Sequence, residues 1–244
     1  MDLYLRLYTA VEEETQKIDS QLMAMAYLDG RAMLLMTLPG VAHGVAIALL
    51  AALGDISRFK DGDHAASYLG LTASLRQSAS KRYHGRITKA GSPQARAMLV
   101  QAVQAASDHS GPIGAFFRRL RKRKKYNVAV IATARKLVTI AYLMLKNNEP
   151  YRYAKLDVVK NKFTDCRRKA KLPAVKATKK EMPESPLEDL YRRHGLNPCQ
   201  TPERWTAGER RALAAAEVAE FAEAVHEPVV AAKRKTKATA RPRK

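Results

Sequence analysis

The chain has 244 residues, 46% of them hydrophobic but only 7% aromatic, and a formal net charge of +21. An apolar set dominated by Ala, Leu and Val favours packed helices over sheets, and so large a positive excess calls for a polyanion to neutralise it. Two distant cysteines, Cys166 and Cys199, and histidines without ligand spacing exclude a disulfide framework and a zinc site; no signal peptide and no apolar run of membrane length is read, so a cytoplasmic, nucleoid-associated setting is expected.

Residues 3–28 read as one amphipathic helix, with Tyr4, Leu7, Tyr8, Val11, Ile18, Leu22 and Met25 at three- and four-residue steps. Its narrow apolar stripe suits a coiled-coil partner, and with it a homo-oligomer, or equally a seat on the chain's own domain. Residues 32–54 read as helix, turn, helix, broken at Pro39-Gly40. A short helix follows over 61–71, capped near Asp61 or Asp63. Residues 72–93 are polar, basic and aperiodic, and read as a loop or short extended piece. Ser92-Pro93 opens a helix of about 93–109, which Gly111-Pro112 ends. Residues 114–124 form a basic helix with Phe116, Phe117 and Leu120 on its apolar side, and 127–147 the buried core helix, with Asn127 as cap candidate.

The expected fold class is all-α: a leading amphipathic or coiled-coil helix (1–30), a helical domain containing a helix-hairpin-helix (31–151), and a basic, partly disordered extension. The extension divides into a basic linker (152–186), a helical stretch (187–227) and a disordered basic tail (228–244).

Charge is distributed unevenly over this plan. Residues 1–30 carry a net −4, residues 31–77 a net +1, residues 78–150 a net +13 and residues 151–244 a net +11. A folded segment so strongly of one sign is the electrostatic footprint of phosphate binding.

Four segments carry the candidate chemistry. The turn "LPGVAHGVA" (38–46) looks like a helix-hairpin-helix, whose tight Gly turn frees backbone N–H groups for a phosphate oxygen; Pro39 and Gly40 are its candidates, and an ordinary core hairpin is the alternative. In "QSASKRYHGRITKAGSPQARAMLV" (77–100), Lys81, Arg82, Arg86, Lys89 and Arg96, with Arg76 just before, surround Ser78, Ser80 and Thr88. Such a cluster can grip a phosphodiester and stabilise developing oxyanion charge, although a serine hydroxyl needs a base, a metal or strong electrostatics to attack. The basic run "RRLRKRKKYN" (118–127) offers Arg118 and Arg121. In "ATARKLVTIAYLMLK" (132–146), Arg135 and Lys136 interrupt an apolar helix, where a cation snorkels or faces an anion.

In order, the pieces LPGV, GDI-x-RF, Y-x-GL, S-x(8)-I-T-K-x-G and ARKL, across roughly residues 33–151, resemble the C-terminal domain of the insertion sequence 110/116/902 transposases. The pattern departs from the usual one at Ala73, Ala79 and Ser92, and the hairpin turn from the usual helix-hairpin-helix at Ala42. The resemblance implies a DNA recombinase with Ser78 as nucleophile, a structured guide RNA as a second nucleic-acid partner, and a linking helix that supports oligomerisation. It further implies an RNase-H-like domain whose carboxylates hold a divalent metal such as magnesium. That acidic domain is expected to be absent, because the chain opens within the linking helix, and no cofactor is then expected on this chain. The expected function is therefore DNA transposition by a partial transposase acting through Ser78, with Arg82, Arg86 and Arg135 stabilising phosphate. Two rivals stand beside it: a non-catalytic nucleic-acid-binding remnant or helix-hairpin-helix DNA-binding protein, and a repair glycosylase, for which Asp55 lies too near the hairpin.

Overall fold

Helices make up nearly all the regular structure of the residues that the computed structural model describes, namely 2–78, 81–109, 111–173 and 186–199. In chain order they are α1 (Asp2–Leu28), α2 (Gly30–Met36), α3 (His43–Leu53), a 3-10 turn (Ile56–Arg58), α4 (Gly62–Tyr68), then strands β1 (Ala73–Ser78) and β2 (Lys81–Ile87), then α5 (Pro93–Ser107), α6 (Pro112–Arg121), α7 (Tyr126–Asn147), α8 (Leu156–Lys169) and α9 (Pro186–Arg193). The all-α expectation holds with one addition. Residues 72–93 contain an antiparallel hairpin rather than a mere loop, pairing Ser78 with Lys81, Gln77 with Arg82, Arg76 with Tyr83 and Leu75 with His84, with an irregularity between Ala73 and Leu75.

Local chemistry explains most boundaries. The Asp61 side chain accepts from His64 N at the start of α4, and Ser92 accepts from Ala95 N, with Pro93 in the first turn of α5, so both orphan amide sets gain an acceptor. The capping expectation at Asn127 fails by position: α7 starts at Tyr126, behind Lys125, with no side-chain cap.

α7 forms the centre. Ala129, Val130, Thr133, Ala134, Leu137, Val138, Ala141 and Tyr142 are buried along it, where it meets α2, α4, α5 and α6. By length and apolarity alone this helix does reach membrane-span dimensions, contrary to the sequence expectation; half its window is buried, as a core helix requires. The Thr133 hydroxyl, buried in that stripe, donates to Ala129 O at 2.8 Å, so it brings no unpaired polar group inside.

The expected boundary near residue 151 is crossed by the core. α8 is a helix where a linker was expected, because Val159, Phe163 and Cys166 recur on one face and bury against α1 and α2. Tyr151 and Tyr191 join the same cluster, and Tyr191 Oη donates to Tyr151 O at 3.1 Å. Burial pushes the Cys166 thiol up to about 11, as expected of an inert packing residue. Residues 200–244, which include most of the expected helical stretch and all of the tail, lie outside the described residues.

α1 is divided in its environment. Met23 and Ala26 near its end are buried in the core, while Leu3, Tyr4, Leu7, Tyr8 and Val11 stay exposed. Between these zones, Asp19 bonds His43 Nε2 at 2.6 Å and so ties α1 to the start of α3.

Candidate nucleic-acid interface

The pieces of the sequence pattern interlock physically. Gly54, with φ +61, ends α3, and Asp55 caps the 3-10 turn through Ser57 N at 2.9 Å. The Arg58 guanidinium then lies over both the Phe59 and Tyr68 rings, 4.6 and 4.4 Å from their centroids, a cation–π stack joining GDI-x-RF to Y-x-GL. Tyr142 Oη donates to Phe59 O at 2.9 Å and ties the same turn to α7.

Y-x-GL in turn meets I-T-K-x-G at the root of the hairpin. Lys89 N donates to Gly70 O at 3.2 Å and Thr88 N to Thr72 O at 2.9 Å. Gly70 and Gly91 both have φ near +70, and a Cβ on either would run into backbone, of Ala90 and Tyr68 respectively. Only glycine permits this crossing. Arg96, expected to hold phosphate, instead drives Nη1 into the carbonyls of Leu69, Ala90 and Gly91. It is a clamp on the hairpin root, and three carbonyl acceptors engage its charge.

The hairpin turn of α2 and α3 is also internal. Pro39 is buried, and Gly40, at φ +75, abuts the α5 backbone at Ala102 and Ala106. Lys162 of α8 closes the other side, donating Nζ to Met36 O, Leu38 O and Val41 O at 2.9, 2.8 and 2.8 Å. Burial pulls its ammonium down to about 8. Pro39 and Gly40 therefore sit in an ordinary core αα-hairpin rather than on an open phosphate cradle. Sequence reasoning missed Lys162; the available signal was a single lysine on the Val159, Phe163, Cys166 face of an amphipathic segment.

The remaining cations fall on separate surfaces. Arg118 Nη1 donates to Ser107 O and His109 O, both at 3.1 Å, at the C-terminal end of α5. The hairpin root lies at the N-terminal end of that 15-residue helix, about 22 Å away at 1.5 Å per residue. Arg121 lies 5.6 Å from the Tyr126 ring centroid, and Arg119 and residues 121–125 are exposed. Arg135 pairs with Asp63 Oδ1 at 2.9 Å, joining ARKL to α4, whereas Lys136 is exposed. On the hairpin, Arg86 and Lys89 are exposed; the side chains of Arg76, Ser78, Lys81, Arg82 and His84 lie outside the described residues, as does all of Ser80. The single cradle expected around Ser78 thus resolves into an exposed hairpin and a basic turn at 118–125, with Arg96, Arg118 and Arg135 committed to intramolecular contacts.

The electrostatic asymmetry survives this redistribution. Between Asp63 and Glu149 the only acidic residue is Asp108, against sixteen lysines and arginines. Among the described residues no group of three or more His, Cys, Asp or Glu side chains is placed to hold a metal ion. The divalent ion that the resemblance implies therefore finds no donor set in the described part.

Residues 32–118 match the family model described as "Transposase IS116/IS110/IS902 family". The chain is 35% identical over 127 residues to the pilin gene-inverting protein of Moraxella bovis, covering 51% of this chain and 39% of that one. It is 30% identical over 152 residues to the putative transposase y4pF/y4sB of Sinorhizobium fredii, with 60% and 39% covered. It is 26% identical over 153 residues to the transposase for insertion sequence element IS1111A of Coxiella burnetii, with 60% and 42% covered. The chain thus spans about two fifths of the length of these relatives.

Proposed function

We propose that the chain, whose residues 32–118 match the IS116/IS110/IS902 transposase family model, binds DNA and contributes the serine-bearing part of a DNA transposition or inversion reaction. The observation that carries the binding half is the sign of the surface: sixteen cations and one acid between Asp63 and Glu149, with exposed ones on the hairpin, at 118–125 and, at Lys136 and Lys146, on α7. Counterion release from DNA phosphate provides the driving force for such a surface.

Ser78 is the proposed nucleophile. It ends β1 opposite Lys81, at the far end of a hairpin held rigid at its root by Gly70, Gly91 and Arg96. In the reaction the serine oxygen would attack a phosphorus and form a phosphoserine ester, the departing strand would leave as a hydroxyl, and neighbouring cations would stabilise the added charge. The carboxylates of the RNase-H-like domain that the resemblance implies would hold the divalent ion, which would polarise the attacked phosphate. A guide RNA, and a second copy of the chain along the exposed stripe of α1, are the further proposed partners. A cytoplasmic, nucleoid-associated setting follows from a DNA partner.

The test is binding of the full chain to duplex DNA across a salt series, with strand joining compared between wild type and Ser78→Ala in a protein that joins DNA. Binding that falls steeply with salt, and joining abolished by Ser78→Ala with binding retained, are expected. Joining at wild-type rate in Ser78→Ala refutes the nucleophile and leaves the non-catalytic binding reading; salt-independent or absent binding refutes both.

A further inference from the structure

The hairpin carries an arrangement that its own protein does not explain. None of the described residues between Leu71 and Ala95 is buried, so β1 and β2 add nothing to the core. A two-stranded ribbon is marginal in water by itself, and this one is nevertheless anchored at its root by two glycine crossings and the Arg96 clamp.

The register sharpens the point. Leu75 pairs with His84 and Arg76 with Tyr83. Adjacent pairs alternate faces, so Leu75 and Tyr83 fall on opposite faces of the ribbon. Both are exposed, at 53% and 60%. A ribbon built to lie on a protein surface is apolar on one face and polar on the other. This one presents a large apolar side chain on each, beside exposed Gln77 and Arg86. A partner that covers both is a cleft with two walls, and the charge makes those walls anionic: no acidic residue lies between Asp63 and Asp108, while Arg76, Lys81, Arg82, Arg86, Lys89 and Arg96 do.

We infer that the β1–β2 hairpin is a ribbon that enters the major groove of duplex DNA, with Leu75 and Tyr83 toward opposite sides of the groove and the long side chains of Gln77, on the Leu75 face, and Arg86 within reach of base edges and phosphates. The dimensions fit. Strands of six and seven residues extend about 20 Å at about 3.3 Å per residue, and a B-form major groove, about 12 Å wide, admits a two-stranded ribbon. The A-form major groove of duplex RNA is too deep and narrow, and a single strand lays bases along one face only. Gln and Arg are the side chains that read adenine and guanine edges in that groove. The inference rests on the DNA-binding reading above and adds to it the form of the nucleic acid and the element that enters it.

The experiment uses the full chain with a mixed-sequence DNA duplex, the matching RNA duplex and the single DNA strand. Guanine N7, which opens into the major groove, is probed with dimethyl sulfate; netropsin serves as minor-groove competitor. Wild type should protect guanine N7 and resist netropsin. Leu75→Ser/Tyr83→Ser, changed only at exposed positions, should keep the wild-type melting curve, lose the protection and bind duplex DNA about tenfold more weakly, about 1.4 kcal/mol. Its affinity for the other two nucleic acids should not change. Unprotected N7 under saturating wild-type protein, displacement by netropsin, or an equal loss on all three nucleic acids overturns the inference while leaving DNA binding intact. Failure of wild type to bind any of the three overturns the DNA-binding reading itself.

Discussion

Replacing Lys162 by Met tests whether the α2–α3 turn is held by a buried ammonium. The stem of Met fills nearly the same space, so the change removes the donor without opening a large cavity. Three carbonyls, of Met36, Leu38 and Val41, lose a charged donor. At about 2 kcal/mol for each stranded acceptor, mid-range for buried groups, the loss is about 6 kcal/mol. Against this stands the burial of the charge itself. The fall from 10.5 to about 8 corresponds to about 3 kcal/mol at 1.36 kcal/mol per tenfold, and Met no longer incurs it. The difference leaves Lys162→Met less stable by about 2–3 kcal/mol at pH 7, a melting temperature lower by about 5–10 °C for a chain of this size. Calorimetry of both proteins measures it directly. The pH dependence adds a sign. The folded chain gives up the Lys162 proton near pH 8, the unfolded chain near 10.5, so within that window unfolding takes up a proton. Wild-type stability, relative to Lys162→Met, should therefore rise as pH increases from about 8 to 10.5 and be flat below. A Met variant that melts at or above wild type at pH 7, or a stability gap that narrows across that window, refutes the reasoning.

Gly70→Ala forces a Cβ into the Ala90 backbone at φ +71 and should cost about 1–3 kcal/mol, with faster tryptic cleavage after Arg86; Gly30→Ala, whose Cβ meets nothing within 4 Å, should melt like wild type. Thr37→Val removes the hydroxyl that accepts from Tyr151 N at 2.9 Å in a buried position and should cost about 1–3 kcal/mol, read as a lower midpoint in urea with an unchanged slope. Arg119→Ala/Arg121→Ala/Lys124→Ala removes three exposed cations and should flatten the logarithmic dependence of DNA affinity on salt by about two to three, at about 0.9 per phosphate contact; an unchanged slope would place the DNA elsewhere.

Much of the helical plan was legible because helices declare themselves locally. The 3.6-residue stripe of α7, the Ser92-Pro93 start of α5, the Asp61 cap of α4 and the break at Pro39-Gly40 each depend on neighbours a few residues apart. The hairpin looks in the sequence like a loop or extended piece, since its strands are polar and short, and their pairing depends on a root made by Gly70, Gly91 and Arg96 from three separate places in the chain. α8 looks like linker in the sequence because its five lysines and arginines outnumber its three core-facing apolar residues.

The candidate site divides along the same line. Sequence alone determined the charge, the family pattern and the position of Ser78, since these are properties of composition and order. Which cations are available was decided only in three dimensions. Arg96, Arg118 and Arg135 look identical to Arg86 and Arg121 as letters, yet the first three are bound to carbonyls or to Asp63. The place of Lys162 on the apolar face of its segment hints at burial, but nothing local says that it lies beneath a turn 121 to 126 residues away. A guanidinium or ammonium bonds whatever acceptor the packed backbone brings within about 3 Å, and that acceptor is chosen by tertiary contacts between segments distant in sequence.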